Sequence, residues 1–290
     1  MTGEGAHTLH LPDGRRLAFA QYGDPGGKAV FFFHGTPGSR FFRPPDEITS
    51  RLGVRLICVD RPGYGLSSFQ SRRRILDWPA DIARLADSLH LPTFALAGHS
   101  GGGPYALVCA YALPQRACRT ALLSSAAPPE APGRTRGLST LNRLGMRYAR
   151  FLVWPLERRL VAWVFRARAA DPAGSIARQA DHPRTVDERL LGRQEVRQAC
   201  LESELEAFRP GLTGLAWDIR LITRPWGFPA AGVQVPVHVW HGTADQQTSA
   251  SLADYLPAQI PDCQATLCAG EGHLLLFQHW KEILAWLCPD

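Results

Sequence analysis

The chain has 290 residues, 45% hydrophobic and 20% charged, with 27 Gly and 23 Pro, a composition that excludes disordered, collagen-like and coiled-coil proteins. A chain of this length buries roughly three quarters of its unfolded surface on folding, so one large α/β domain, or one domain carrying an insertion, is expected. The formal charge of +6 comes from 32 basic residues that are nearly all Arg, Lys28 and Lys281 being the lysines; no nucleic-acid motif accompanies them, and no nucleic-acid partner is expected.

The first residues, Met1 to His7, show neither a basic segment nor an apolar one, and so read as no secretory leader. The apolar runs stay far below the ~20 residues that a bilayer helix needs, which predicts no stable membrane insertion and a cytoplasmic protein. Thr8 to Gly23 alternates apolar and polar residues around Pro12-Asp13-Gly14, the pattern of a β-hairpin. Short apolar runs bounded by Gly and Pro then recur at Ala29–Phe33, Val54–Val59, Phe94–Ala97, Thr120–Leu123, Val235–Trp240 and Ala265–Cys268. Runs of this kind suit strands buried on both faces. Asp77 to Leu89 repeats its apolar residues at helical spacing, and a C-terminal helix is expected over Leu275–Leu287,. Strand and helix in alternation imply a mostly parallel sheet with helices on both faces.

From about residue 128 to 229 the β-runs stop and Arg-rich helical patterns take over. The chain therefore divides into a core of residues 1–127 and 230–290 and a helical insertion, 128–229, lying over the sheet. The seven Cys are scattered without a CxxC or Cys/His spacing, which reads as buried free thiols rather than disulfides or a metal site.

The chemistry concentrates where an apolar strand, Phe94–Ala97, runs through Gly98-His99-Ser100-Gly101-Gly102 into an Ala- and Leu-rich helix. A G-x-S-x-G in that setting is a nucleophile elbow: the sharp turn strains Ser100, and small residues beside it avoid clashes. The helix start beneath Ser100 offers free N–H groups, with Gly101 N–H as one oxyanion donor. Ser100 then needs a base and an orienting acid. His273 lies in Gly270-Glu271-Gly272-His273, between the last strand and the C-terminal helix. Asp245 follows the penultimate strand in His241-Gly242-Thr243-Ala244-Asp245, although an N-cap role for it is the plainer alternative. His238 and His241 are read as strand residues that pack or bond to backbone, and Asp254 as lying on a helix face. After the first central strand, His34-Gly35-Thr36 places main-chain N–H groups beside the elbow, and Thr36 N–H is the second oxyanion candidate.

Assembled, these pieces resemble the α/β-hydrolase superfamily. The matching segments are His34–Ser39, Asp60–Ser67, Gly98–Gly102, His241–Asp245 and Gly270–His273. The resemblance implies an α/β fold with a mostly parallel eight-stranded sheet and a helical cap over Ser100. It implies no metal or organic cofactor. A Ser nucleophile disfavours the dehalogenases and epoxide hydrolases, which use Asp, and the dienelactone-type hydrolases, which use Cys.

The expected reaction is cleavage of a carboxylic ester, thioester or lactone of a small to medium apolar substrate. The same residues also suit acyl transfer, cyclisation or a lyase-type step on a biosynthetic intermediate, a ligand-binding receptor, or an aminopeptidase-like member. His34, Gly35, His99, Trp217 and Trp226 are the expected substrate contacts. Trp154, Trp163, Phe165 and Phe228 also suit an apolar pocket wall, helix packing being the plainer use of each. Glu202, Glu204 and Glu206 could meet a substrate amine as in proline iminopeptidases, or form a solvated face near Arg197 and Arg209. The Arg-rich stretch Arg143 to Arg168, with interleaved Leu, Val and Trp, allows weak membrane-surface contact, ordinary helices being the better reading.

Overall fold

The structure, a computed structural model, describes residues 6–148 and 151–289. Its strands are β1 (Ala6–His10), β2 (Arg16–Gly23), β3 (Lys28–Phe33), β4 (Val54–Val59), β5 (Phe94–His99), β6 (Ala117–Leu123), β7 (Val237–Gly242) and β8 (Cys263–Cys268). They form one eight-stranded sheet in the order β1-β2-β4-β3-β5-β6-β7-β8. The N-terminal hairpin pairs β1 with β2 and joins the sheet through an antiparallel β2–β4 ladder, while every later pairing is parallel.

The helices are α1 (Asp46–Arg51), α2 (Trp78–Ser88), α3 (Gly103–Ala112), α4 (Thr140–Tyr148), α5 (Trp154–Ala170), α6 (Pro172–Asp181), α7 (Val186–Leu190), α8 (Gln194–Phe208), α9 (Thr213–Ile222), α10 (Leu252–Tyr255) and α11 (Leu276–Leu287). Side chains on a strand alternate between faces, and β3 shows what a continuous apolar run achieves. Phe31 and Phe33 pack with residues of α2 and α3 on one face, and Val30 and Phe32 with residues of α11 on the other. All four are buried, each worth about 1.5–3 kcal/mol relative to exposure. The indole of Trp280 on α11 meets Phe32 edge-on at 5.9 Å and donates Nε1–H to Thr49 Oγ1 of α1 at 3.0 Å.

Helices α4 to α9 all fall between β6 and β7. They carry their own small core, in which Val161 of α5, Ala207 of α8 and Leu215 and Ala216 of α9 close on Tyr64. On its outer side α5 leaves Leu156, Leu160, Trp163 and Val164 exposed. Among the described residues no helix is long and apolar enough to cross a membrane. All seven cysteines are free, but only Cys58, Cys109 and Cys268 are buried; Cys118 is exposed and the rest are intermediate.

The parallel strands share one carboxyl edge. β3 lies between β4 and β5, so the connections leaving β3 and β5 depart to opposite sides and open a crevice at that edge, where open α/β sheets place their sites. The segments after β3, β5, β7 and β8 carry Thr36, Ser100, Asp245 and His273.

Candidate active site

Ser100 starts a 3-10 turn, Ser100–Gly102, that leads directly into α3, and its φ is +54°. That left-handed conformation costs a non-glycine residue roughly 1–2 kcal/mol and lifts the side chain off the strand end. The turn is tight enough to exclude side chains around it. A methyl at Gly98 would lie 2.6 Å from Gly102 O, and one at Gly102 would lie 2.1 Å from Phe33 O.

Asp245 and His273 are joined. His273 Nδ1 lies 2.8 Å from Asp245 Oδ2; a carboxylate only accepts, so Nδ1 carries the proton and Nε2 keeps its lone pair for the crevice. Asp245 is further fixed by main-chain N–H groups of Gln247 (2.7 Å) and Thr248 (3.1 Å) on Oδ1, and by Thr248 Oγ1 at 2.7 Å on Oδ2. Burial raises the Asp245 pKa, but His273 and His241 outweigh it and hold the carboxyl well below the usual range. For His273 burial likewise works against charge, and the Asp245 carboxylate with a smaller push from Asp187 raises its pKa above the ordinary 6.5. Among the described residues no side-chain hydrogen bond joins Ser100 to His273.

The turn after β3 lies against the elbow. A methyl at Gly35 would stand 3.3 Å from Ser100 Cβ, and one at Gly101 would stand 2.2 Å from Thr36 Oγ1. His34 holds this turn together: Nδ1–H donates to Gly35 O at 2.8 Å and Nε2 accepts Arg61 N–H at 3.3 Å. Burial and the Arg61 charge push its pKa well down, so it stays neutral. Arg61, in the Asp60–Ser67 segment but with no role readable from the sequence, straps the turn. Its guanidinium donates to His34 O, to Gly35 O (3.0 Å) and to Thr36 Oγ1 (2.8 Å), and its Nε donates to Asp218 of α9 at 2.8 Å. Asp218 also binds Arg73 and Tyr105 OH (2.7 Å), which makes a fully buried cluster of one carboxylate and two guanidiniums behind the turn.

A cavity of about 270 Å³ opens over these residues. Gly35, Thr36, His99, Ser100 and His273 all line it, whereas His34 and Gly101 do not. His99 stacks on Phe42, with ring centroids 4.9 Å apart, and donates Nε2–H to the His273 carbonyl at 3.0 Å. Burial, with His273 adding to it, pushes the His99 pKa down to about 3.

The aromatic residues expected in the pocket wall do not line this cavity, whose apolar lining includes Phe42, Ile176, Leu191 and Leu274. Trp217 and Trp226 do not line it: Trp217 packs edge-on against Trp154 at 4.5 Å and donates to Arg73 O at 3.0 Å, and Trp226 stacks on Phe228. Trp163 is 65% exposed and Phe165 packs inside the insertion. Beside Ile176 and Leu191 the insertion offers polar groups, among them Asn142, Gln179 and Thr185, while Gln246 and Gln247 come from the Asp245 loop. Large aromatic residues suit a pocket wall on chemistry alone, whereas scattered amides carry no signal in a sequence. The acidic trio also separates. Glu204 is engaged by Arg168 at the cavity wall, Glu206 by Arg40 (2.9 Å), and Glu202 accepts from Gln198 (2.8 Å).

His241, in β7, places Nε2 3.4 Å from both Thr248 O and Asp245 Oδ2. Asp254 lies on α10. Cys268, Glu271 and His279 bring a thiol, a carboxylate and an imidazole within 4.8 Å of one another, but His279 Nε2 already pairs with both Glu271 oxygens at 2.8 Å.

A sequence model described as the alpha/beta hydrolase family matches residues 30–286. The chain belongs to that family. The match spans the sheet from β3 onward and the inserted helices. A non-heme chloroperoxidase of Streptomyces lividans is 35% identical over 130 residues, which is 42% of this chain and 45% of that protein. The alignment thus covers less than half the length of this curated relative. Two solved structures share the fold over their whole length. A hydrolase from Pseudomonas aeruginosa PA01 has a TM-score of 0.72 at 19% identity, covering 100% of both chains. The enol-lactonase from Burkholderia xenovorans LB400 has a TM-score of 0.70 at 17% identity, covering 98% of this chain and 100% of that one.

Proposed function

We propose that the protein is a serine hydrolase that cleaves a carboxylic ester, thioester or lactone through an acyl-enzyme on Ser100. The observation that carries this reading is the His273–Asp245 hydrogen bond of 2.8 Å, in a cavity whose wall also holds the strained Ser100. In this mechanism Ser100 Oγ attacks the acyl carbonyl and its proton passes to His273 Nε2. Asp245 keeps the imidazole in the required tautomer and favours the imidazolium as it forms. The oxyanion is received by the N–H groups of Gly101 and Thr36. His273 then protonates the leaving group, and a water that it deprotonates releases the acid and frees Ser100.

The core comprises residues 1–127 and 230–290, and residues 128–229 serve as the cap. A wall that mixes Phe42, Ile176, Leu191 and Leu274 with amides and hydroxyls suits a small substrate whose acyl part is short and carries hydrogen-bonding groups beside its apolar ones. Lactones stay within this class, in keeping with the fold likeness to an enol-lactonase.

Incubation with a fluorophosphonate is expected to give one adduct, on Ser100, by intact mass. Its rate should rise with pH through a midpoint above 6.5, because His273 acts as base only when neutral and its pKa is raised,. Among p-nitrophenyl esters, a short hydroxylated acyl group should be turned over at least about tenfold faster than a decanoyl group. A folded protein that takes no adduct would overturn the proposal.

A further inference from the structure

Three elements hold His273, and one belongs to the inserted helices. Asp245 fixes its Nδ1 at 2.8 Å, and His99 of β5 fixes its carbonyl at 3.0 Å. Its main-chain N–H donates to Asp187 Oδ2 at 2.9 Å, and the next N–H, of Leu274, donates to Asp187 Oδ1 at 2.7 Å. Asp187 is the second residue of α7, 86 positions before His273. Its carboxylate is nearly buried and lines the same cavity as Ser100.

The fit is close enough to dictate a residue in the core. A methyl group at Gly272 would lie 2.5 Å from both Asp187 carboxylate oxygens, so the glycine before His273 leaves the space that the carboxylate occupies. The short helix that carries Asp187 is anchored in turn. Thr185 Oγ1 accepts Glu188 N–H at 3.2 Å, and Glu188 Oε2 accepts Thr185 N–H at 3.0 Å, a reciprocal cap that fixes the first turn,.

We propose that Asp187 is a positioning residue for His273: it grips the main chain on both sides of the His273 carbonyl, so the base is in register with Ser100 only while α7 is seated on the core. This rests on the hydrolase reading above, in which His273 is the base. Hydrogen bonds to a carboxylate are stronger than neutral ones, and a misplacement of about 1 Å at a reacting group costs up to about 100-fold in rate.

The test is the rate constant for fluorophosphonate labelling of Ser100, measured well below the melting temperature of each variant. Asp187→Ala is expected to label about 10- to 100-fold more slowly than wild type. The charged and titratable groups around His273 are Asp245 after β7, His241 of β7, His99 of β5 and Asp187 of α7. Removing the Asp187 charge withdraws a stabiliser of the imidazolium, so the labelling midpoint should also move to lower pH. Asp187→Asn, which keeps the volume and one acceptor, should show an intermediate rate with the same direction of pH shift, and carries the test if the alanine variant does not fold. Gly272→Ala displaces the carboxylate without discharging it, and should slow labelling with a smaller shift in midpoint. Labelling of Asp187→Ala or Asp187→Asn within about twofold of wild type, with an unchanged midpoint, would overturn this inference alone. A folded wild type that takes no label would overturn the hydrolase reading and this inference together.

Discussion

Ser100→Ala is expected to abolish fluorophosphonate labelling and to lower ester turnover by about 10⁴-fold or more, with the fold intact. The size of the loss follows from the role of the group removed. Without Oγ there is no bond to form with the acyl carbon, and His273 has no proton to take. What remains is whatever the oxyanion donors and the cavity give to direct attack by water, so a small residual rate is consistent with the mechanism. Stability should move little, because alanine is as strained as serine at a φ of +54°,. Ser100→Gly separates the two effects: it should be equally inactive yet melt no lower, since glycine adopts that conformation without a Cβ clash. Near wild-type turnover in Ser100→Ala, by product release under identical conditions, would eliminate the acyl-enzyme route.

The elements that position Ser100, Asp245 and His273 were legible in the sequence because each is a local signal. β3 and β4 match their apolar runs within a residue, α2 fills the periodic stretch expected over 77–89, and the Gly98–Gly102 turn carries its own steric reason. What stayed hidden is long-range. Asp187 meets His273 across 86 positions and Arg61 meets Asp218 across 157, and neither pairing exists until the inserted helices settle on the sheet. Asp187 carried only the appearance of an acid in a helix's first turn, behind the Thr185/Glu188 capping pattern. Trp217 and Trp226 misled for the related reason that a large aromatic side chain marks burial without saying against what. Trp226 packs with Phe228 in the main core and Trp217 joins Trp154 of the insertion to Phe69 and Arg73 of the core, so the cavity wall is made by other side chains.

Asp218→Ala should be the most destabilising single change at the site. Asp218 is fully buried on α9, with Arg61 Nη2 at 2.7 Å, Arg73 in direct contact and Tyr105 OH at 2.7 Å. Burial alone would raise its pKa, yet Arg61 and Arg73 together hold it far below the ordinary 3.8. The cluster keeps one net positive charge, which the rings of Tyr64 and Tyr105 meet at 5.3 and 4.8 Å from the Arg61 guanidinium carbon,. Removing the carboxylate strands two buried guanidiniums, a loss of about 3–5 kcal/mol. At roughly 2–4 °C per kcal/mol for a chain of this size, the melting temperature should fall by about 10 °C. The sign of the pH dependence follows from the depressed pKa. Asp218 contributes fully above pH 3.8 and loses that contribution as pH falls below it,, so the gap between wild type and variant should narrow only under strong acid. Activity should fall as well, since Arg61 is the strap across His34, Gly35 and Thr36, and an unpaired guanidinium there has reason to leave the turn. Adding Arg73→Met to Asp218→Ala removes one stranded charge and should recover part of the stability, a coupling that a double-mutant cycle measures directly. A single Asp218→Ala variant that melts within about 2 °C of wild type would show that the cluster does not tie α9 to the turn after β3.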